Sequence, residues 1–484
     1  MKKIITLAAV AAISVSVSVF AQTDQIHVFR SDDTKLSTFK GADILSITHE
    51  NGSAALGFND LVIKTTDGTS TTISIGLIDS VQVRSTGLPE FHVNLIDYPS
   101  WTELQGAKDD VHPAILYMKG NGMYSDIEAD TVEFRGRGNS TWGMKKKPYR
   151  FKMKKKAAVC GLPKAKTFAL IANYIDCSLM RNAVSLWVAN YLQMPFANHC
   201  IPVRVYFNDI LKGEYMLTEK IGTGSGSVNI DEYKGVLFEL DSNYDEAFEF
   251  YFRWDGGKRL PVMVKDPDFT EICDSLGVTT AQYLQTWQSD FTQMAQAVTS
   301  GDTSADLSQY IDLESAVNFF IVNNLAANHE MKHPKSFYIY KDSIADGETY
   351  HFGPVWDFDW AYTFDGYEGV SASIPMVASD GDCGGYSFLK ALFSNTGFRA
   401  LYKQKWAEFI SVGYPQLLKY MEEYANLIEP SAIENGQLWP ADYSVLWRRS
   451  ESSLEFRKNF KALKTWIGQR IDYCNSHANF GLYE

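Results

Sequence analysis

At 484 residues the chain is too long for one ordinary hydrophobic core, so two or three domains are expected. Its formal net charge of -13 excludes a general nucleic-acid binder, because a phosphate backbone is held by an excess of cations. The six cysteines (Cys160, Cys177, Cys200, Cys273, Cys383, Cys474) form no C-x-x-C pair, which disfavours a zinc ribbon or redox motif and leaves one or two disulfides or buried single thiols.

Residues 1–21 read as a secretory signal: Lys2 and Lys3, an apolar run from Ile4 to Phe20, and the short side chains of Val19 and Ala21 before Gln22. The expectation is an exported protein, in the periplasm, at the cell surface or outside the cell. No cysteine follows the predicted cut, and no later apolar run approaches the roughly 20 residues of a membrane helix, so the mature chain is expected not to span a membrane.

Residues 22–88 are strand-like, with short alternating runs such as Ile26–Arg30, Leu61–Lys64 and Thr71–Ile75 separated by Asn51-Gly52 and Asp67-Gly68 turns. This predicts a small accessory β domain suited to adhesion, spacing or carbohydrate contact at a cell surface. Residues 89–265 continue β-rich, interrupted by a helix over Ser178–Leu192 with Ser178 as its cap. Pro202–Asn208 and Gly213–Lys220 read as a hairpin around Asn208-Asp209. Residues 266–484 turn helical, with candidates at Ala281–Val298, Asp312–Ala327, Gly397–Ile410, Pro415–Ile428 and Ser453–Asn475. The fold class expected is α+β, a β-rich half preceding a helical one.

Two blocks carry the chemistry. Arg135-Gly-Arg-Gly-Asn-Ser-Thr-Trp142 sets two arginines beside glycines that let backbone approach an anion, and Lys145–Lys154 follows with Arg150, Lys152 and Lys154 on one face of a half-buried strand. A solvated edge strand guarded by lysines would look the same as the second stretch taken alone. Some 200 residues later Gly353-Pro-Val-Trp-Asp-Phe-Asp-Trp360 places Asp357 and Asp359 two apart, facing one way if the chain is extended, which suits a shared Mg²⁺. A solvated turn with two acids is the plainer alternative.

Two further motifs compete. Gly222–Ser227 resembles a phosphate loop but lacks the third glycine of G-x-G-x-x-G and reads as a hairpin tip. His329-Glu330-Met-Lys-His333 matches the H-E-x-x-H zinc signature, although Pro334 biases His333 away from helical geometry.

Together the blocks resemble the spore-coat protein H (CotH) kinase family: R-G-x-G-N-S-T-W at Arg135–Trp142, K-K-P-Y-R-F-K at Lys146–Lys152, the stretch around Asp176 and Arg181-Asn182, Gly213-Glu-Tyr-x-Leu-x-Glu219, W-D-F-D at Trp356–Asp359 and Trp466-Ile-x-x-Arg470. The resemblance covers roughly residues 92–475. It implies a two-lobed protein-kinase-like domain, with a β-rich N-lobe and a helical C-lobe clasping ATP and Mg²⁺, and γ-phosphoryl transfer to a protein hydroxyl. Asp357 then stands at the metal-binding aspartate, with Asp359 in support. Arg135, Arg137 and Asn139 would meet phosphates, Lys152 or Lys147 would be the phosphate-contacting lysine, and Glu219 would orient it. Glu330 falls where members of the family carry an aspartate that accepts the hydroxyl proton, and Ser336 where they carry an asparagine. The partner implied is a protein substrate whose identity the sequence does not give. Three readings stay open: the phosphotransferase, a kinase-like scaffold serving as a surface binding or structural module, and a zinc hydrolase built on His329, Glu330 and His333.

Overall fold

The computed structural model describes residues 3–5, 24–30, 37–40, 44–50, 60–73, 78–85, 87–97, 104, 108–241, 251–254, 260–331, 334–363, 371–377, 385–440 and 452–483. His333, Cys383 and most of the expected signal segment lie outside them. The chain divides into two compact units, residues 1–91 with 117–129, and residues 92–116 with 130–484.

The first unit holds β1 (Lys3–Ile5), β2 (Asp24–Arg30), β3 (Ser37–Lys40), β4 (Ile44–Glu50), β5 (Asp60–Thr65), β6 (Ser70–Ile73) and β7 (Ile78–Ser85). They form two antiparallel sheets, ordered β1-β7-β2-β3 and β4-β5-β6. Ile26 and Val28 alternate on β2, Leu61 and Ile63 on β5, and with Ile44 and Ile73 they form one small core. The expected Asp67-Gly68 turn closes β5 on β6: Asp67 accepts from the Thr69 amide at 2.9 Å and Gly68 takes a φ of 86°.

In the second unit the first layer is a closed barrel, ordered β10-β11-β12-β14-β13-β8-β9. Its strands are β8 (Glu90–Leu95), β9 (His112–Lys119), β10 (Ile127–Gly136), β11 (Tyr149–Ala157), β12 (Ala165–Ile171), β13 (Ile201–Phe207) and β14 (Ile210–Glu219); the division into units cuts β8, β9 and β10. Tyr149, Phe151 and Met153 turn inward from β11 while Lys152 and Lys154 turn out, the period-2 pattern of a half-buried strand. The Asn208-Asp209 hairpin between β13 and β14 forms as expected, both residues with positive φ. Helix α1 (Arg181–Tyr191) starts three residues later than its spacing predicts. Leu179 has a φ of 55° and cannot be helical, and Asp176 takes the amides of Ser178 and Arg181 at 2.8 Å each.

The sheet extends into the half expected to be helical. β15 (Val236–Leu240), β16 (Tyr251–Trp254), β17 (Leu260–Asp266), β18 (Phe337–Lys341) and β19 (His351–Phe352) form a second antiparallel sheet, ordered β16-β17-β15-β18-β19. The helices are α2 (Phe269–Leu276), α3 (Thr280–Val298), α4 (Leu313–Ala326), α5 (Tyr386–Ser394), α6 (Thr396–Glu408), α7 (Tyr414–Leu438) and α8 (Phe456–Ser476); α3 and α4 pack on this sheet, and α7 packs on β14 of the barrel. A Thr279/Gln282 capping box opens α3, whose Trp287, Phe291, Met294 and Val298 fall on one buried stripe. Helix α4 is buried all round, so no single stripe marks it. Phe238 of β15 meets Trp287 and Phe291 edge-on at 6.1 and 5.8 Å, which places the main core between sheet and helices.

Helix α7 runs ten residues past the expected Ile428, through Pro430, because Ala432, Asn435 and Gly436 continue its buried face. Helices α2 and α5 were not expected at all. The Gly222–Ser227 stretch is a tight turn, with Gly224 N–H to Val228 O at 2.8 Å, as a hairpin tip would be. Cys160, Cys177, Cys200, Cys273 and Cys474 are free thiols. Among the described residues no helix is long and apolar enough to cross a membrane.

Candidate active site

A cavity of about 730 Å³ opens in the second unit, within the size range of small-molecule sites. Its walls come from the β10–β11 connection, the end of β12, α1, β15, β17, the approach to β18 and the segment after β19.

The first wall is the glycine-punctuated loop. Gly136 ends β10 against the ring of Trp142: a Cβ there would stand 2.4 Å from the indole. Gly138 has a φ of 78°, and a Cβ would meet Thr141 Oγ1 at 2.2 Å. The loop is thereby tightened against its own 3₁₀ turn (Ser140–Gly143), and Arg135, Arg137 and Asn139 all line the cavity. Arg135 holds Asp109 at 2.7 Å, and the Arg137 guanidinium lies 5.2 Å from the centre of the Trp356 ring. Directly opposite Arg135 on β11 stands Arg150, also in the cavity wall.

The second wall carries the acids. Asp357 and Asp359 both line the cavity, but not because the chain is extended: Asp357 sits at a φ of 62°, a left-handed conformation that is costly for a non-glycine residue. Phe358 between them is fully buried and anchors the turn. Asp359 is 5% exposed and accepts from Asn182 Nδ2 at 2.8 Å, while its carbonyl accepts from Arg181 at 2.9 Å. Asn182 also accepts from the Phe358 amide at 3.1 Å and donates to Asn173 at 3.1 Å, so α1 fixes the acid turn. Burial, then the neighbouring charges of Asp357 and Asp176, push the Asp359 carboxyl up to about 7. Burial also raises Asp357, against the opposing pull of Arg137 and Lys335.

Glu330 completes this wall. Helix α4 ends at Ala326, Ala327 takes a φ of 43°, and the chain turns into a single 3₁₀ turn at His329–Met331. Glu330 is 7% exposed there, with its amide on Asn328 Oδ1 at 3.2 Å, and it reaches the same cavity as Asp357. Lys335 and Ser336 line it as well.

Three of the expected site residues stand elsewhere. Lys147 donates to the Trp142 and Met144 carbonyls at 2.6 and 3.3 Å and braces the 3₁₀ turn from behind. Lys152 is half exposed on β11, 3.4 Å from Glu133 on the neighbouring strand. Glu219 receives the His199 amide at 2.9 Å and its ring nitrogen at 2.6 Å. None of the three lines the cavity, whose lysines are Lys108, Lys220, Lys265 and Lys335. The zinc reading also meets an obstacle: His329 sits on a 3₁₀ turn rather than the helix that H-E-x-x-H requires, and it is not among the cavity residues.

The paired aspartates fit a divalent cation. The charge of Asp357 raises Asp359, burial raises both, and a cation beside them would relieve those penalties. Among the described residues no three His, Cys, Asp or Glu side chains converge on one point. Two neighbouring carboxylates are a donor set that Mg²⁺ accepts, completing its shell with phosphate oxygens and water.

The sequence reading missed Arg150 as a cavity residue, Lys335, and the group Glu239, Asp241 and Lys265. A signal for the last existed: Glu239 and Asp241 interrupt an apolar run, Val236-Leu-Phe-Glu-Leu-Asp241, that is otherwise a buried strand.

The family model described as CotH kinase protein matches residues 132–474. No curated protein sequence matches the chain. The match takes in the glycine loop, Glu330, the aspartate turn and nearly all of α8, and it spans more than half of the 484 residues; the chain belongs to the CotH kinase family.

Proposed function

We propose that the protein is an exported, Mg²⁺-dependent kinase that transfers the γ-phosphoryl group of ATP to a serine or threonine hydroxyl of a protein. In this reading the barrel strands with α1 act as a kinase-like N-lobe, and the second sheet with α3–α8 as its C-lobe. One observation carries the proposal: an acid pair, buried at Asp359 and half-buried at Asp357, and a third carboxylate, Glu330, share a single cavity with Arg135, Arg137, Arg150 and Lys335. Cations to hold phosphates and carboxylates to hold a metal are the two requirements of phosphoryl transfer.

Asp357 and Asp359 would hold Mg²⁺, which when bound neutralises charge on the phosphate oxygens. Arg135, Arg137 and Arg150, which line the cavity, would meet the phosphates. The acceptor hydroxyl oxygen bonds to the γ-phosphorus, the bond to the β-γ bridging oxygen breaks, and ADP leaves. Glu330 takes the hydroxyl proton.

A second reading, a scaffold that binds nucleotide without transfer, is favoured by Glu330 and Ser336. Glutamate reaches about 1 Å further than the aspartate of the family pattern, and a misplacement of that size is enough to slow transfer about a hundredfold.

The test is thermal unfolding of residues 22–484 with ATP and Mg²⁺ together and separately, followed by assay for ADP and phosphoprotein. A ligand at 100 times its dissociation constant adds about 2.7 kcal/mol. Stabilisation that needs both components, with phosphoprotein formed, supports the kinase; stabilisation without transfer supports the scaffold. Absence of any shift refutes both.

A further inference from the structure

Much of the positive charge around the glycine loop lies outside the cavity. Between Glu133 and Asp176 the chain carries no Asp or Glu, although acids outnumber Lys and Arg by 58 to 45 overall. Arg135, Arg137 and Arg150 of this stretch face the cavity. The lysines of β11 and β12 do not: Lys152, Lys154, Lys155 and Lys156 are exposed along β11, and Lys164 and Lys166 are exposed where the chain enters β12. Ala157 pairs with Ala165, so Lys155, Lys156, Lys164 and Lys166 gather at the closed end of one hairpin.

Two of the six already have partners on β10. Lys152 stands 3.4 Å from Glu133, and Lys154 stands 3.5 Å from Asp130. Among the described residues Lys155, Lys156, Lys164 and Lys166 make no ion pair. Exposed lysines commonly guard a sheet edge, but β11 and β12 lie between other strands of a closed barrel. A partner here meets side chains rather than an open backbone ladder.

Charge and shape narrow the occupant. Ammonium groups without acids between them attract carboxylates, while a protein of net charge -13 repels an anion on average. Val159 and Leu162 in the hairpin are buried, so it offers no large apolar side chain to a bilayer. An acidic peptide fits better than a membrane. The patch is also continuous with the cavity: Arg150 in the cavity wall and Lys156 at the hairpin end belong to the same strand, separated by about 20 Å at roughly 3.3 Å per residue.

We propose that the β11–β12 hairpin is a docking surface for an acidic segment of the protein substrate, held by Lys155, Lys156, Lys164 and Lys166. The inference rests on the kinase reading above and adds the chemical class of the substrate. Its run of Asp or Glu is separated from the acceptor serine or threonine by about six residues or more, the extended chain needed to span about 20 Å. Docking there raises the local concentration of the hydroxyl without touching the reacting atoms, so it lowers KM and leaves kcat in place.

The experiment has two arms, both on the full mature chain. In the first, labelled octaglutamate is titrated with protein and read by fluorescence anisotropy, beside vesicles of phosphatidylcholine with about one third phosphatidylglycerol. Octaglutamate is expected to bind wild type and to lose about tenfold or more in affinity when Lys155→Ser, Lys156→Ser, Lys164→Ser and Lys166→Ser are combined. The same charge change on the helices, by Lys403→Ser, Lys419→Ser, Lys458→Ser and Lys461→Ser, should alter affinity by less than about twofold. All eight lysines are exposed, so both variants are expected to fold. Equal losses in the two variants would trace binding to net charge and overturn the proposal. Vesicle binding without octaglutamate binding would assign the patch to a lipid surface and also overturn it.

In the second arm, phosphate transfer from ATP is followed to a serine peptide joined to octaglutamate by about twelve Gly and Ser residues, whose mean span is about 20 Å. The same peptide without octaglutamate is the comparison. The acidic tail should lower KM about tenfold at equal kcat in wild type, and give no advantage in the hairpin variant. A tail that leaves KM unchanged in wild type overturns the docking role. If octaglutamate binds through the hairpin and neither peptide is phosphorylated, the kinase reading falls and the acidic-peptide site stands. If Mg²⁺–ATP binds and octaglutamate does not, the docking surface falls and the kinase reading stands.

Discussion

Replacing Asp359 with asparagine should stabilise the unliganded protein at neutral pH while removing its response to Mg²⁺ and ATP. The native carboxyl is pushed up to about 7 from an ordinary 3.8, mainly by burial. Below pH 4 both folded and unfolded chains carry the proton, and Asp359 is neutral to stability. Between about 4 and 7 the folded chain keeps a proton that the unfolded chain has released, so stability falls as pH rises through that window. At 1.36 kcal/mol per unit, the full penalty above pH 7 is of order 4 kcal/mol. Asparagine keeps the oxygen that accepts from Asn182 and carries no charge to desolvate. Denaturant unfolding at intervals from pH 4 to 8 should show the variant and wild type converging at the acid end, with the variant ahead by a few kcal/mol at pH 8. Under the proposed function, that penalty is what it costs to keep an acid pair ready for a cation. Curves that run parallel from pH 4 to 8 would refute the reasoning.

Gly136→Ala should push the Trp142 ring out of place, cost about 1–3 kcal/mol of stability and weaken Mg²⁺–ATP binding, measurable by tryptophan fluorescence and calorimetry. Arg137→Ala should weaken Mg²⁺–ATP binding strongly, whereas Lys152→Ala, removing an exposed pair with Glu133, should change affinity little and stability by less than about 1 kcal/mol. Arg470→Met should destabilise by about 3 kcal/mol or more in chemical denaturation. The Arg470 side chain is fully buried on the carbonyls of Asn324, Ala372 and Ile374 and the side chain of Asn324, all of which would lose their donor. Alkylation of the native protein at pH 8 should spare Cys160 and Cys200, whose thiols burial pushes up to about 12, and reach them only after unfolding, as peptide mass mapping would show.

Local signals served best where one residue type enforces one geometry. The Asp67-Gly68 and Asn208-Asp209 turns, the alternation of β11 and the stripe of α3 all needed only neighbours in sequence. The aspartate turn was found for a partly mistaken reason: the two acids converge through a left-handed Asp357, not through extended spacing. The lysines misled because a strand's outer face offers cations to solvent as readily as to a ligand. Lys152 took the solvent side, and Arg150, two residues earlier on the same face, reached the cavity. Glu239, Lys265 and Tyr338 come from strands 26 to 99 residues apart, and only the sheet order β17-β15-β18 brings them together. Helix α4 was expected at Asp312–Ala327 and forms at Leu313–Ala326 although it is buried on every side, whereas α2 and α5 were missed.

Asn182 sets the acid turn by polarity rather than by outline. Its Nδ2 faces two oxygens, of Asp359 and Asn173, and its Oδ1 faces the Phe358 N–H. Rotated by half a turn, the amide would oppose oxygen to oxygen and N–H to N–H, so the network admits a single orientation. Aspartate has the same shape but no donor, and would add a further negative charge beside Asp359. Leucine has the bulk but would leave a peptide N–H and two oxygens without their partner. Position 182 therefore works as a polarised key, which fits its lock one way round and which no residue of equal size can copy.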